Sequence, residues 1–346
     1  GTLTAYKMTA DSSDDALRIY PVHQAHVTAV REVDVSGLFP LLVSSSYDGT
    51  VKVTDLQHGI AFNTLESFSG EVCKVTALDV SGDRQRIAYA NDKGQMVVSA
   101  PNEAGWKGQA TRMKTGLRHK VHQGKAGYLS FSPTCSHYLA SGGNDGMIRM
   151  WDLRKLDDSI WDFGPVRAVK TASFDPTGTS LLCSTLDDKF YVFQEVTEVP
   201  SFKQTWKEFS KAHKEAKFSS WVATNGNSWA MAGRQGLRGC SSVAHPNQTG
   251  LWITDFEPLW HPSVGGVFVS GSLSREVQVF ASPDPDSRFT TMKNLTDDDV
   301  TISSFAAFMP QYDLMVSICY GKVAFWGRPE TPFPLPRHFA GDMAAL

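Results

Sequence analysis

Short apolar segments recur along the whole chain, and turn-forming residues separate them. Residues 75–80 and 138–143 are examples, because each run of apolar and small side chains is followed at once by Gly, Asp or Asn. Runs of this length with such boundaries are typical of β-strands. Helical periodicity is nearly absent outside residues 202–217. The pattern therefore predicts an all-β protein.

The predicted strands belong to a repeat. Six units share a turn followed by an apolar strand: residues 46–53, 91–98, 144–151, 187–193, 274–280 and 320–326. Asp48 and Asp92 are 44 residues apart, and Asp145 and Asp187 are 42 residues apart. WD-repeat blades have a period of about 40–45 residues. We therefore predict a WD-repeat β-propeller.

The repeat predicts seven blades in a single propeller domain over residues 1–330, followed by a Pro-rich tail at 331–346. Six blades have both inner strands, at about 27–66, 71–115, 122–163, 165–200, 251–290 and 300–327. Residues 1–8 and 17–20 resemble the third and fourth strands of a first blade. Because open strand edges promote aggregation, we expect this incomplete blade to reflect a fragment or missing upstream residues.

One segment interrupts the repeat. Residues 201–250 are predicted to be an insertion between two blades, partly helical at 202–217. Four lysines lie on one face of that helix and aromatic and small residues on another. The helix is interpreted either as a surface helix packed on the propeller or as a dedicated interaction helix.

The third unit has the spacing of a WD-repeat structural tetrad, formed by His122, Ser141, Asp145 and Trp151. In such a tetrad a hydroxyl accepts the buried indole N–H, and the His and Asp continue the hydrogen-bond chain, so that no buried polar group is left unpaired. A catalytic His–Asp dyad is the alternative. The chain has no P-loop, HExxH, GxSxG or dinucleotide-binding motif. We therefore expect no enzyme and no cofactor.

Charge is distributed unevenly along the chain. The net charge is −3, yet residues 104–144 contain no Asp or Glu. Six basic residues lie in that window: Lys107, Arg112, Lys114, Arg118, Lys120 and Lys125. Such a surface can neutralise phosphates, although it can also be an ordinary solvated face. The five cysteines form no CxxC motif and no secretory signal is present, so we expect a cytosolic or nuclear protein.

Several segments together point to one family. They are residues 45–51, 75–81, 118–125, 151–154, 247–254, 260–262 and 302–305. In this order they resemble the damage-binding WD-repeat family, which includes the small subunit of the UV-damaged-DNA-binding complex and the Cmr-type chromatin propellers. The Tyr-Asp-Gly-Thr turn at 47–50 and the Thr-Gly-Leu-Trp segment at 249–252 favour the Cmr-type branch.

The resemblance implies a DNA-binding face. Family members hold DNA on the narrow face with basic residues, one of which is the lysine that opens a blade, here Lys125. The Phe, Gln and His wedge of the family's damage-recognition subunit is replaced here by Gly250, Leu251 and Trp252, which puts lesion-specific binding in doubt. Trp252 is interpreted as a base-contacting or a buried packing residue. The expected nucleic-acid-binding residues are Lys93, Arg112, Lys114, Arg118, Lys120, Lys125 and Trp252.

The resemblance also implies a protein partner. Propellers of this kind can be substrate receptors of cullin-4-type RING ubiquitin ligases, with a Trp-Asp-x-Arg repeat end that contacts the adaptor propeller. Here that motif is Trp151-Asp152-Leu153-Arg154, so Asp152 and Arg154 are the expected adaptor-binding residues. We expect a nuclear, monomeric, DNA- or chromatin-binding propeller of the DNA damage response. The alternative is a protein-interaction scaffold that binds no nucleic acid.

Overall fold

The protein is described by a computed structural model. It describes residues 2–6, 17–33, 41–56, 58, 60–63, 73–100, 117–164, 167–194, 196, 239–249, 255–281, 290–295, 302–309, 314–319 and 322–327. These residues form 25 strands and no helix, so the described part of the chain has no helix that could cross a membrane. The prediction of an all-β protein is confirmed.

Antiparallel sheets follow one another along the chain. The first has two strands, β1 (Thr2–Tyr6) and β2 (Leu17–Pro21). Two four-stranded sheets come next: β3 (Val27–Val33), β4 (Leu41–Ser46), β5 (Val51–Asp55) and β6 (Ile60–Asn63), then β7 (Val75–Val80), β8 (Ile87–Asn91), β9 (Gln95–Ser99) and β10 (Leu117–Lys120).

The remaining sheets repeat this order. Three have four strands: β11 (Ala126–Phe131), β12 (Tyr138–Gly143), β13 (Ile148–Asp152) and β14 (Trp161–Phe163); β15 (Val169–Phe174), β16 (Leu181–Thr185), β17 (Lys189–Gln194) and β18 (Gly239–Ala244); β19 (Leu259–Trp260), β20 (Val267–Gly271), β21 (Val277–Ala281) and β22 (Thr290–Leu295). The last has three: β23 (Ser303–Met309), β24 (Leu314–Cys319) and β25 (Lys322–Gly327).

The fold class is therefore an all-β WD-repeat β-propeller, with five four-stranded blades among the described residues. The strands β1 and β2 pair where the sequence predicts the third and fourth strands of a first blade. The total of seven blades stays a prediction.

The turn between the second and third strands of each blade depends on one backbone conformation. In five of these turns one residue has a positive φ: Gly49 (83°), Gly94 (75°), Gly146 (75°), Asp188 (60°) and Arg275 (63°). Glycine adopts this conformation without steric cost. At Gly94 a Cβ would also come within 2.1 Å of the carbonyl oxygen of His122, so the following loop can lie directly against this turn.

Apolar side chains of adjacent sheets form the cores. In one cluster, Val43 and Val53 of one sheet pack with Leu78, Ile87 and Tyr89 of the next. Alternate residues of a strand point to opposite faces, so a strand between two such cores is apolar on both faces. This explains why β8, Ile87–Asn91, is buried along its whole length.

The chain divides into two compact units. Among the described residues, one unit contains residues 2–145 and the other contains residues 146–327. The candidate nucleic-acid surface described below lies entirely in the first unit. The single-domain assignment over residues 1–330 stays a prediction.

The structure corrects one boundary of the predicted insertion. Residues 239–244 are not part of an insertion between blades, because they form β18, which pairs along its whole length with β17. The residues that interrupt the repeat thus connect the third and fourth strands of one blade. The predicted helix at 202–217 and the tail at 331–346 lie outside the described residues.

Candidate nucleic-acid interface

A buried histidine fixes the loop that leads into β11. His122 Nδ1 lies 2.8 Å from Asp145 Oδ1, and its Nε2 lies 2.8 Å from Ser141 Oγ. The side chain of His122 is 0% exposed. The structure therefore brings three residues of the predicted tetrad together, and the fourth, Trp151, is buried on β13. A histidine this buried is a structural group, because no substrate can reach its ring nitrogens.

The sheet β3–β6 has an equivalent network that the sequence analysis missed. His23 Nε2 lies 2.8 Å from Ser44 Oγ, and its Nδ1 lies 3.1 Å from Asp48 Oδ2 and 3.0 Å from Thr50 Oγ1. Thr54 stands where the other blade has its tryptophan. The spacing between His and Asp could have indicated this network, because it is 25 residues here and 23 residues in the His122 network.

The aspartate of this second network is more acidic than an ordinary aspartate. Burial alone would raise the pKa of Asp48, but hydrogen bonds from Thr50 and from the backbone N–H of Gln24 lower it to about 2. Burial also lowers the pKa of His23, against the opposing effect of Asp48. At neutral pH the pair is thus a neutral imidazole beside a carboxylate that its hydrogen bonds stabilise.

Three sheets in succession, and a fourth after them with Leu186 as donor and Ala168 as acceptor at 3.0 Å, anchor their first strands in the same way. The residue before the strand accepts, through its carbonyl oxygen, a hydrogen bond from a backbone N–H in the turn between the second and third strands. The donor and acceptor pairs are Tyr47 with His26 at 3.0 Å, Asp92 with Lys74 at 3.0 Å, and Asn144 with Lys125 at 2.9 Å. Side chains in corresponding positions of the repeat therefore lie at corresponding ends of the three sheets.

These positions bring an aromatic ring and two lysines together. The ammonium nitrogens of Lys74 and Lys125 both lie over the ring of Tyr47, 5.3 Å and 6.0 Å from its centroid. The imidazole of His26 is 6.0 Å from the ring, at an interplanar angle of 35°. Lys74 and His26 are exposed, and Tyr47 and Lys125 are half-buried. We call Tyr47, Lys74 and Lys125 the Tyr47 cluster.

Two further lysines lie at this end of the sheet β7–β10. Lys93 is in the turn between β8 and β9, and Lys120 is the last residue of β10, paired with Gln95 directly after that turn. Both are exposed. The carbonyl oxygen of Gly94 accepts hydrogen bonds from the N–H groups of Val121 and His122, which hold the basic loop against the turn.

The aspartates near this surface already have partners. Asp48 and Asp145 are bonded to buried histidines, and Asp92 Oδ1 accepts the backbone N–H of Lys74 at 3.1 Å. None of these contacts neutralises the ammonium group of Lys74 or Lys125. In the described part of the chain, no group of three or more His, Cys, Asp or Glu could hold a metal ion.

The predicted nucleic-acid residues are only partly covered by the structure. Lys93, Lys120 and Lys125 lie at one end of neighbouring elements, and the backbone of Arg118 lies on β10. Arg112, Lys114 and Trp252 lie outside the described residues. Sequence reasoning missed Tyr47, Lys74 and His26. The repeat could have indicated these residues, because each lies next to a strand at a position that recurs from blade to blade.

The predicted adaptor residues lie at the end of β13. Arg154 Nε donates to Asp152 Oδ1 at 2.9 Å and its Nη2 donates to Asp152 Oδ2 at 2.8 Å. The backbone N–H of Arg154 also donates to Asp152 Oδ1 at 3.0 Å. The side chain of Arg154 is 55% exposed. Asp152 thus holds the guanidinium in one orientation at the surface.

Comparison with known proteins identifies the class of this chain. The family model for the WD domain, G-beta repeat, matches residues 15–55 and 117–152. These two segments contain the two histidine networks built on His23 and His122. These two segments of the chain are therefore WD repeats.

The similarity extends to particular relatives. The DNA damage-binding protein CMR1 of Chaetomium globosum is 24% identical over 338 residues, which are 92% of this chain and 56% of that protein. The cmr1 protein of Neurospora crassa is 23% identical over 91% of this chain and 57% of its own length. DNA damage-binding protein 2 of Danio rerio is 28% identical over 35% of this chain and 25% of that protein.

These matches confirm the resemblance to the damage-binding WD-repeat family and to its Cmr-type branch, because the Cmr1 proteins match along nearly the whole chain. The chain spans about half the length of the Cmr1 relatives it matches.

Proposed function

We propose that this chain is a non-enzymatic DNA- or chromatin-binding propeller that acts in the nucleus in the DNA damage response. The names of the Cmr1 and DNA damage-binding protein 2 relatives support this role. The observation that carries the proposal is the Tyr47 cluster together with Lys93 and Lys120. Four lysines and an aromatic ring at one end of adjacent elements are suited to a phosphate backbone.

The net charge of −3 does not contradict DNA binding. Affinity for a polyanion depends on the local field, which a cluster of like charges creates in an otherwise neutral or acidic protein. If all four lysines contact phosphates, the logarithm of the binding constant should fall with the logarithm of the salt concentration at a slope of about −3.6.

The test is fluorescence anisotropy with a labelled DNA duplex across a salt series. We expect the double substitution Lys120→Glu/Lys125→Glu to weaken binding and to reduce the salt slope by about 2, since each lysine that pairs with a phosphate contributes about 1 to the slope. A plain and a UV-damaged duplex should bind equally, since Gly250, Leu251 and Trp252 replace the wedge of the damage-recognition subunit.

The matched control reverses a charge elsewhere on the same blade. Arg84 is exposed in the turn between β7 and β8, at the opposite end of the sheet from Lys74. Arg84→Glu should leave the affinity and slope unchanged. If the wild-type chain binds no DNA at low salt, or if Arg84→Glu and Lys125→Glu weaken binding equally, the chain is a protein-interaction scaffold instead.

We also propose that Asp152 and Arg154 contact the adaptor propeller of a cullin-4-type ubiquitin ligase. The bidentate contact between the two side chains supports this role. An arginine held in one orientation loses less conformational entropy on binding, and arginine is among the residues that contribute most to protein interfaces.

A further inference from the structure

We infer that the Tyr47 cluster binds single-stranded DNA, with an unpaired base replacing the two ammonium groups over the Tyr47 ring while Lys74 and Lys125 turn to neighbouring phosphates. This inference rests on the proposed function and deepens it, because it specifies the form of DNA that this surface prefers. A stacking aromatic beside lysines is the combination that single-strand-binding surfaces use.

The position of the Tyr47 ring is set by a rigid framework. The backbone N–H of Tyr47 is bonded to the carbonyl oxygen of His26, and the next residue, Asp48, is held by the buried His23. The ring therefore projects from a turn whose backbone is fixed on both sides. A platform fixed in this way loses little entropy when a base stacks on it.

The surrounding charge selects the ligand. With the ammonium groups of Lys74 and Lys125 5.3 and 6.0 Å from the ring centroid, a second cation such as a lysine side chain of a peptide would be repelled. An anionic strand is attracted instead. The ligand must then supply both a flat apolar surface and a negative charge next to it, and a nucleotide has both.

Of the three equivalent turn positions only one is aromatic, which favours stacking of a single base. Asp92 and Asn144 occupy the positions that correspond to Tyr47 in the next two sheets, and each has its backbone N–H bonded in the same way. Neither side chain can stack on a base. The faces of duplex bases are covered by their neighbours in the stack, so Tyr47 can act only on a base that is already unpaired.

The experiment compares a labelled oligothymidylate strand with a duplex of the same length, again by anisotropy. The variants are Tyr47→Leu, which keeps an apolar side chain but removes the ring, and Tyr47→Phe, which keeps the ring. We expect Tyr47→Leu to weaken single-strand binding by about 5- to 150-fold, the range that one base–aromatic stack supports. Tyr47→Phe should bind within about twofold of wild type, and duplex affinity should stay the same in both variants.

The outcomes separate this inference from the proposed function. If Tyr47→Leu binds the single strand as wild type does while Lys125→Glu weakens both DNA forms, the stacking site is wrong and the DNA-binding surface stands. Equal losses for strand and duplex in Tyr47→Leu would also overturn the stacking site. If the wild-type chain binds neither form, both proposals are wrong. Circular dichroism of the Tyr47→Leu variant confirms that the sheets are intact.

Discussion

At the scale of single residues, three buried histidines in the described part of the chain hold their turns through different partners. His23 and His122 face aspartates, but His245 Nδ1 faces Asn247 Oδ1 at 2.7 Å. His245 is also stacked on the ring of Phe190, with ring centroids 4.4 Å apart. An amide and an aromatic ring stabilise a protonated imidazole less than a carboxylate does. Of the three, His245 therefore has the surroundings least suited to a charge.

This environment makes folding stability depend on pH. Burial lowers the pKa of His245, and the hydrogen bond with Asn247 only partly opposes that shift. The unfolded chain therefore takes up the proton near the ordinary pKa of about 6.5, whereas the folded chain does so only at lower pH. Stability is present above about pH 6.5 and is lost as the pH falls towards the folded-state pKa.

We predict that His245→Gln weakens this dependence. While only the unfolded state binds the proton, one histidine contributes a slope of at most about 1.4 kcal/mol per pH unit. The midpoint of urea unfolding, measured between pH 7.5 and 5.5, should fall less steeply in the variant than in the wild-type chain. Identical pH dependence in the two proteins would show that His245 is not the group responsible.

The histidine networks show what could be predicted residue by residue. The His122 network was predictable because its tryptophan, serine and aspartate all match the repeat pattern. The His23 network was missed because Thr54 replaces the tryptophan, although its geometry is nearly the same. A pattern that depends on four residues fails when one is exchanged, whereas the hydrogen bonds of the other three still form.

At the scale of the elements, β18 differs most from what the sequence predicts. It pairs with β17 over six residue pairs, from Lys189 opposite Ala244 to Gln194 opposite Gly239. The two strands are far apart along the chain, and no short turn joins them. Local signals such as alternation and turn residues carry no information about a partner at that distance. The sequence pattern therefore places this strand in the insertion.

We predict that residues 201–238 can be replaced by a short Gly-Ser linker without loss of the fold. Gln194 and Gly239 are already paired, so a short connection can span them. Shortening the closed loop should stabilise the blade by about 1 kcal/mol at most. The urea midpoint of the linker variant should equal or exceed that of wild type, and a lower midpoint would mean that the replaced segment packs on the blade.

At the scale of the whole molecule, the fold class and the repeat were predictable, but the binding surface was only partly so. Strands and turns are local features that repeat about every 40–45 residues. The Tyr47 cluster instead combines residues from three turns and loops that belong to different sheets. Only the packing of those sheets brings them together, so the distribution of charge along the chain indicates Lys125 but not Lys74.

We predict that Arg154→Ala weakens binding to the adaptor propeller of a cullin-4-type ligase by roughly 30-fold, as expected for an interface arginine that contributes about 2 kcal/mol. Binding is measured by biolayer interferometry with the purified adaptor. Lys155→Ala is the matched control, because Lys155 is an exposed neighbour of like charge. No binding by the wild-type chain, or equal losses in both variants, would contradict the adaptor role.

The shared backbone bonds of His26, Lys74 and Lys125 have a consequence for how such a surface can change. In each sheet the hydrogen bond runs from main chain to main chain, so the side chain at that place is not needed to hold the strand. Three equivalent positions thus carry an imidazole and two ammonium groups on the same pattern of main-chain hydrogen bonds. Substitutions at these positions can change which ligand the surface binds, and the propeller fold stays the same.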